Sequence, residues 1–123
     1  MADAITRFFE DLDRRGFEPL LEKASGTVRF DLSEGARTTH WLLAIEQGRL
    51  RVDQEDREAD TIIGTNPLLF EQIVTGREDG IAAMLRGDLT VSGDRRLLVQ
   101  VERIFPSPPG SRGPQRVGAR EAS

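Results

Sequence analysis

The chain has 123 residues, enough for one domain with a core of its own, and carries a formal net charge of −4. That charge, with arginines scattered rather than grouped, speaks against a nucleic-acid partner, because phosphate binding needs clustered cations. Cysteine is absent, which removes disulfides and thiolate chemistry and fits a cytoplasmic setting; no run approaches the roughly 20 apolar residues that span a bilayer.

The first residues, Met1 to Arg7, lack a basic segment followed by an apolar core, so no secretory signal is expected. Ile5, Phe8, Phe9 and Leu12 recur at helical spacing behind Asp3, a plausible N-cap. Gly16 interrupts this face. Phe17, Leu20, Leu21 and Ala24 restart it as a second short helix, with Pro19 in its first turn. From Gly26 the period changes to two. Val28, Phe30 and Leu32 alternate with Thr27, Arg29 and Asp31, which predicts a strand with one wet face. Ser33 to Ala36 supplies a turn. Trp41, Leu43 and Ile45 alternate with His40, Leu42 and Ala44 on a second strand. Gln47-Gly48 marks a tight turn into a third, which carries Leu50 and Val52. Short connections make these three an antiparallel meander. Asp53 to Asp60 is an acidic loop, and Thr61 to Gly64 a fourth strand.

Helices return at Asn66-Pro67, an N-cap followed by proline at the first helical position. Leu69, Phe70, Ile73 and Val74 form its apolar face, and Gly76 stops it. Ile81, Met84 and Leu85 mark a further short helix ending at Gly87, where only glycine enters the left-handed cap without steric cost. Leu89 and Val91 alternate as a short strand. Gly93 turns, and Asp94 caps a last helix with Leu97, Leu98, Val101, Ile104 and Phe105, ended by Pro106. The strand at 89–91 is cut off from the meander by two helices and is expected to cross back into the same sheet. Runs of strands beside runs of helices predict an α+β domain over 1–105. Residues 106–123, rich in Pro and Gly, read as a disordered tail with a net charge of about +2.

The residues that carry chemistry are few. His40 is the single histidine, so neither a metal site nor a Ser–His–Asp triad can be assembled from several converging ligands. The acidic loop fails the EF-hand pattern, because Glu58 stands where the sharp turn needs Gly. There is no Gly-rich phosphate cradle, and no cofactor is expected. What remains is apolar: Leu69, Phe70, Ile73, Val74, Ile81, Met84, Leu85, Leu97, Leu98, Val101, Ile104 and Phe105 on the C-terminal helices, with Trp41, Leu43 and Ile45 on the strands. Pattern alone does not separate a filled core from a cavity for an apolar ligand.

Several stretches, in order, resemble the sterol carrier protein 2 family. They are Gly26-Thr27-Val28-Arg29-Phe30, Trp41-Leu42-Leu43-Ala44-Ile45, Gln47-Gly48, Ala59-Asp60-Thr61-Ile62-Ile63, Gly76, and Met84 through Asp94. The resemblance runs from about Ala4 to Phe105. It implies a five-stranded, mostly antiparallel sheet covered by helices, with an apolar tunnel between the layers. It also implies non-enzymatic binding, with transfer in view, of a sterol, fatty acid or fatty acyl lipid. The tunnel wall would then be drawn from Phe70, Ile73, Ile81, Met84, Leu85, Leu97, Leu98, Val101 and Phe105, to which the strands add Trp41 and Leu43. Ala59-Asp60 and Gly93-Asp94 would be structural, as turn and cap residues. Ala83 stands where relatives often carry an aromatic, and the chain ends Glu-Ala-Ser rather than in a peroxisomal Ser-Lys-Leu-type tripeptide. The alternative is an interaction or accessory module of a lipid-related enzyme that keeps the fold around a collapsed cavity. No transmembrane segment is expected, and transient membrane contact stays open.

Overall fold

The structure, a computed structural model, describes residues 3–106. The expected tail, apart from Pro106, lies outside the described residues. Helix α1 spans Ala4–Arg15. Strands β1 (Ser25–Glu34), β2 (Arg37–Glu46), β3 (Arg49–Asp53) and β4 (Thr61–Thr65) follow. Helices α2 (Pro67–Val74) and α3 (Gly80–Arg86), strand β5 (Thr90–Gly93) and helix α4 (Arg95–Glu102) complete the chain.

Local chemistry fixes the ends of these elements. The Asp3 carboxylate accepts from the Thr6 N–H at 2.7 Å, and Gly16 closes α1 in the left-handed conformation at φ 68°. Asn66, Asp79 and Asp94 cap α2, α3 and α4 in the same way, each accepting a backbone N–H of the first turn. The β2–β3 turn places both Gln47 (φ 50°) and Gly48 (φ 88°) in the left-handed region, as a two-residue hairpin of matching twist requires. The Gln47 N–H is anchored on the Ala24 carbonyl at 2.8 Å, which holds this non-glycine residue there.

The five strands form one open sheet in the order β3-β2-β1-β4-β5. The meander is antiparallel, β5 crosses back to pair antiparallel with β4, and β1 with β4 is the one parallel pair. Residues of alternate parity in β1 and β4 therefore face the helices: Val28, Phe30 and Leu32 are buried, as is Ile63. Helix α1 lies over the β2–β3 half, while α2 lies over β1 and α4 over β1 and β4. An aromatic cluster joins the halves. Trp41 stacks on Phe9 (centroids 4.6 Å, 12°), and Phe9 stacks on Phe70 (5.8 Å, 12°). Such pairs contribute about 0.5–1.5 kcal/mol beyond their buried area.

Three expectations need correction. Residues 17–24 do not form an amphipathic helix. Only Pro19–Leu21 form a single 3₁₀ turn; Leu21 and Ala24 are buried while Phe17 and Leu20 are exposed. The Glu18 and Leu50 N–H groups bond to the Gly48 and Gly16 carbonyls instead, so this segment runs as a seal along the edge of β3. Helix α4 stops at Glu102, and Ile104 and Phe105 pack from a turn. Leu42, placed by alternation on the wet face, is buried. The acidic loop is tied back against that face, with Arg29 donating to the Arg57 carbonyl at 2.9 Å and pairing with Asp56 at 3.4 Å.

Candidate functional site

Between the sheet and the C-terminal helices lies an apolar cleft with about 560 Å³ of atom-free space, part of it open to solvent; only about 50 Å³ admits the centre of a water molecule. Its wall draws on β1 (Phe30), β4 (Ile63) and β5 (Val91), with Leu89 just before β5. From the helices come Phe70 and Ile73 of α2, Gly80, Ile81 and Met84 of α3, and Leu98, Val101 and Glu102 of α4. Asp79, Phe105 and Pro106 complete it. Phe105 packs its ring against those of Phe30 and Phe70 at centroid distances of 6.1 and 6.0 Å. It closes one side of the cleft from the turn after α4.

Of the residues expected at a tunnel wall, Phe70, Ile73, Ile81, Met84, Leu98, Val101 and Phe105 line this cleft. The other four lie elsewhere. Trp41 and Leu43 are buried in the β2 half, under α1, with Phe9 stacked over the indole. Leu97 is buried against Gly26: a Cβ there would meet the Leu97 side chain at 2.7 Å. Leu85 is 79% exposed. At 3.6 residues per turn each residue advances about 100°, so Leu85 falls nearly opposite Ala83, the fully buried residue of α3. Phe30, Ile63, Leu89 and Val91 were missed as apolar wall residues. Alternation put Phe30 and Val91 on the buried faces of their strands, but nothing in the sequence said that β4 pairs with β1 and β5 with β4.

The wall is held by polar contacts behind it. The Asp60 carboxylate accepts from the Thr27 N–H at 2.9 Å, and its carbonyl accepts from the Asp94 N–H at 2.8 Å. The Thr61 hydroxyl donates to the Asp94 carbonyl at 2.7 Å. One short stretch thus clamps β1, β4 and the start of α4 together. Gly93 (φ 99°) passes so close to the Asp60 carbonyl that a side chain there would overlap it.

His40 lies on the opposite face of the sheet. Its Nδ1 is 2.7 Å from Asp31 Oδ1 and its Nε2 is 3.7 Å from Asp56. A carboxylate can only accept, so Nδ1 carries the proton. Arg29 grips the same Asp31 with two bonds, at 2.9 and 3.0 Å. Burial alone pushes the Asp31 carboxyl up; the bonds from Arg29 and His40 outweigh it and hold it below the usual carboxylate range. This set tethers the acidic loop to the sheet. Among the described residues no cluster of His, Cys, Asp or Glu is arranged to hold a metal ion, and no helix is long and apolar enough to cross a membrane.

An open mixed sheet with helices on one face and an apolar cleft between the layers defines a class of small α+β domain. The SCP-2 sterol transfer family matches residues 9–106. The chain belongs to that family, a family of lipid-carrier domains. The fold agrees with solved structures of low sequence identity. The sterol carrier protein domain 2 of Helicoverpa armigera superposes with a TM-score of 0.68 at 16% identity, covering 83% of this chain and 85% of that one. Palmitated SCP2L2 from Aedes aegypti gives 0.64 at 18% identity, covering 82% and 89%. The sec-alkylsulfatase from Pseudomonas sp. gives 0.64 at 17% identity; the match covers 81% of this chain but only 16% of the sulfatase. Among curated proteins none matches the chain.

Proposed function

We propose that this domain binds one apolar lipid, an acyl chain or a sterol ring system, in the cleft between β1–β4–β5 and helices α2–α4, and carries it without chemical turnover. The observation that carries this reading is the cleft wall itself: apolar side chains from three strands and three helices converge on one slot in a chain of the SCP-2 family. Burial from water is favourable at about 25 cal/mol per Å² of apolar area, so a dry slot supplies affinity without specific bonds. Ligand pockets run to roughly 300–1,000 Å³, and the part of this cleft that admits the centre of a water molecule, about 50 Å³, is far smaller, so entry requires a wall to move. Helix α3 is the wall that moves. It shares no extensive contact with any one other element, unlike α1 and α2, and weakly packed elements open at the least cost. The His40–Asp31 pair, on the far face, takes no part.

Native mass spectrometry of the purified protein, followed by lipid extraction, tests this. A retained lipid, or uptake of a neutral reporter such as N-phenyl-1-naphthylamine or a fluorescent sterol, is the expected result. A bare protein that takes up neither would overturn the carrier reading. It would favour a second one, an accessory module whose cleft stays shut. That reading draws on the sulfatase, in which a unit of this fold forms a minor part of a larger chain.

A further inference from the structure

The single tryptophan of the chain is a buried donor without an acceptor. Trp41 is 8% exposed, and Phe9 covers one face of its indole. Tryptophan N–H groups usually find a partner when buried, yet among the described residues nothing accepts from this one. Trp41 lines a groove that shares no residue with the wall of the lipid slot. Helix α1 gives this groove Thr6 and Glu10, one turn apart on one face, and the end of β3 with its continuation gives Val52, Asp53 and Gln54. It holds about 640 Å³ of atom-free space, part of it open to solvent. Its two banks are fixed to each other, because the Asp13 carboxylate of α1 accepts from the Val52 N–H at 3.0 Å. Two of the lining residues are acidic and none is basic. Asp11 nearby is paired with Arg14 at 3.3 Å and Arg15 at 3.6 Å. Among the described residues the Glu10 and Asp53 side chains have neither an ion pair nor a hydrogen bond.

We propose that the groove between α1 and the end of β3 is a site for an organic cation, a guanidinium or alkylammonium group, whose charge is taken by Glu10 and Asp53 while an oxygen a few atoms away accepts from the Trp41 indole N–H. The site stands apart from the lipid-binding reading. Two surface carboxylates alone mark nothing, since such residues are commonly solvated. The unmatched indole N–H adds the second requirement: it can only donate, so its partner must bring an acceptor. The carboxylates can only accept, so they are matched by a donor, best a charged one. A ligand that meets both carries a cation and a neutral oxygen close together. An arginine or lysine residue of a peptide does so through its side chain and its backbone carbonyl, and a small amino alcohol does so through its ammonium and hydroxyl groups.

With one tryptophan, the nitrogen-labelled full-length protein gives one indole N–H resonance, which reads the site directly. It is titrated with N-acetylargininamide, which has a guanidinium and carbonyl oxygens, and with N-acetylnorleucinamide, which keeps the carbonyls and lacks the charge. The arginine derivative should move the indole resonance in a saturable way, and the norleucine derivative should leave it in place. In the E10Q/D53N protein the affinity for the arginine derivative should fall about five- to tenfold. Either single variant should weaken it about two- to threefold, which decides the matter if the double variant folds poorly. Choline separates the sources: tighter binding of the arginine derivative assigns the site to a peptide residue, and tighter binding of choline to a free amine. An indole resonance that neither cation moves, or that the norleucine derivative moves as far, overturns the site. Unchanged affinity in the variants overturns the part given to Glu10 and Asp53, and the proposal with it.

Discussion

Asp31 shows how one side chain on the far face holds an element in place. Its carboxylate takes two bonds from Arg29 and one from His40, and Arg29 in turn reaches the loop at Asp56 and Arg57. Asp31→Asn removes the charge from this set and should cost about 1.5–3 kcal/mol at neutral pH, read by urea denaturation. The sign of the pH dependence follows from the lowered folded pKa. The stabilisation is present above the unfolded value of about 3.9 and is lost as pH falls through the lower folded value, so wild type and variant should begin to converge only below about pH 4. No convergence on acidification would mean that the charge is not what stabilises. Two glycines separate conformation from space. Gly35 (φ 62°) has nothing within 4 Å of where a Cβ would stand, so Gly35→Ala meets only the left-handed penalty, about 1–2 kcal/mol. Gly93 (φ 99°) adds an overlap with the backbone of Asp60. Gly93→Ala should cost at least about 3 kcal/mol, with a clear drop in Tm relative to Gly35→Ala. Residue-scale reading of the sequence was strongest at such glycines and at caps, where one residue decides its own conformation. It failed at Leu42, whose burial depends on a loop more than ten positions away.

At the scale of elements, periodicity located every strand and helix that packs, and failed where the chain packs without a period. The segment 17–24 has helical spacing, yet it starts as a strand-like edge, with Phe17 bridging Arg49 and the Glu18 N–H on the Gly48 carbonyl at 2.8 Å, and the β3 edge amides find partners just ahead of it. The Val52 N–H finds Asp13 at 3.0 Å and Leu50 finds the Gly16 carbonyl at 2.9 Å. An unpaired edge strand invites pairing with another chain, and covering it removes that risk. Strand order was the other hidden quantity. The meander was legible because its loops are short, but the parallel pairing of β1 with β4 is long-range, and with it went Phe30, Ile63 and Val91 from the expected cleft wall. Helix α3 is the place to probe the cleft without touching the rest. Met84→Trp adds bulk to a partly buried wall position on the least tethered helix. It should abolish uptake of the neutral reporter while changing stability by less than about 2 kcal/mol in denaturation. Retained uptake would place the lipid somewhere other than this slot.

For the whole molecule, binding and stability are one equilibrium. A lipid that occupies the cleft of the folded chain and has no site in the unfolded one stabilises by about 2.7 kcal/mol at roughly a hundredfold excess over its Kd. In a domain of this size that corresponds to a rise in Tm of about 10 °C or more, measured by scanning calorimetry with dodecanol present and absent. A Tm that ignores saturating lipid would remove the cleft from the account. The sheet's connectivity has a kinetic counterpart. On one side β1, β2 and β3 are joined by two-residue turns, while the Thr27–Asp60 bond that starts the other side spans 33 positions. Closing the longer loop costs more chain entropy, so the meander should fold first and β4, β5 and α4 dock afterwards. Pulse-labelled hydrogen exchange would then protect the amides of β2 ahead of those of β5, and simultaneous protection would refute this order. The half of the sheet that forms the cleft is the half assembled late, so a nascent chain would have its lipid slot only as the final stage of folding is reached.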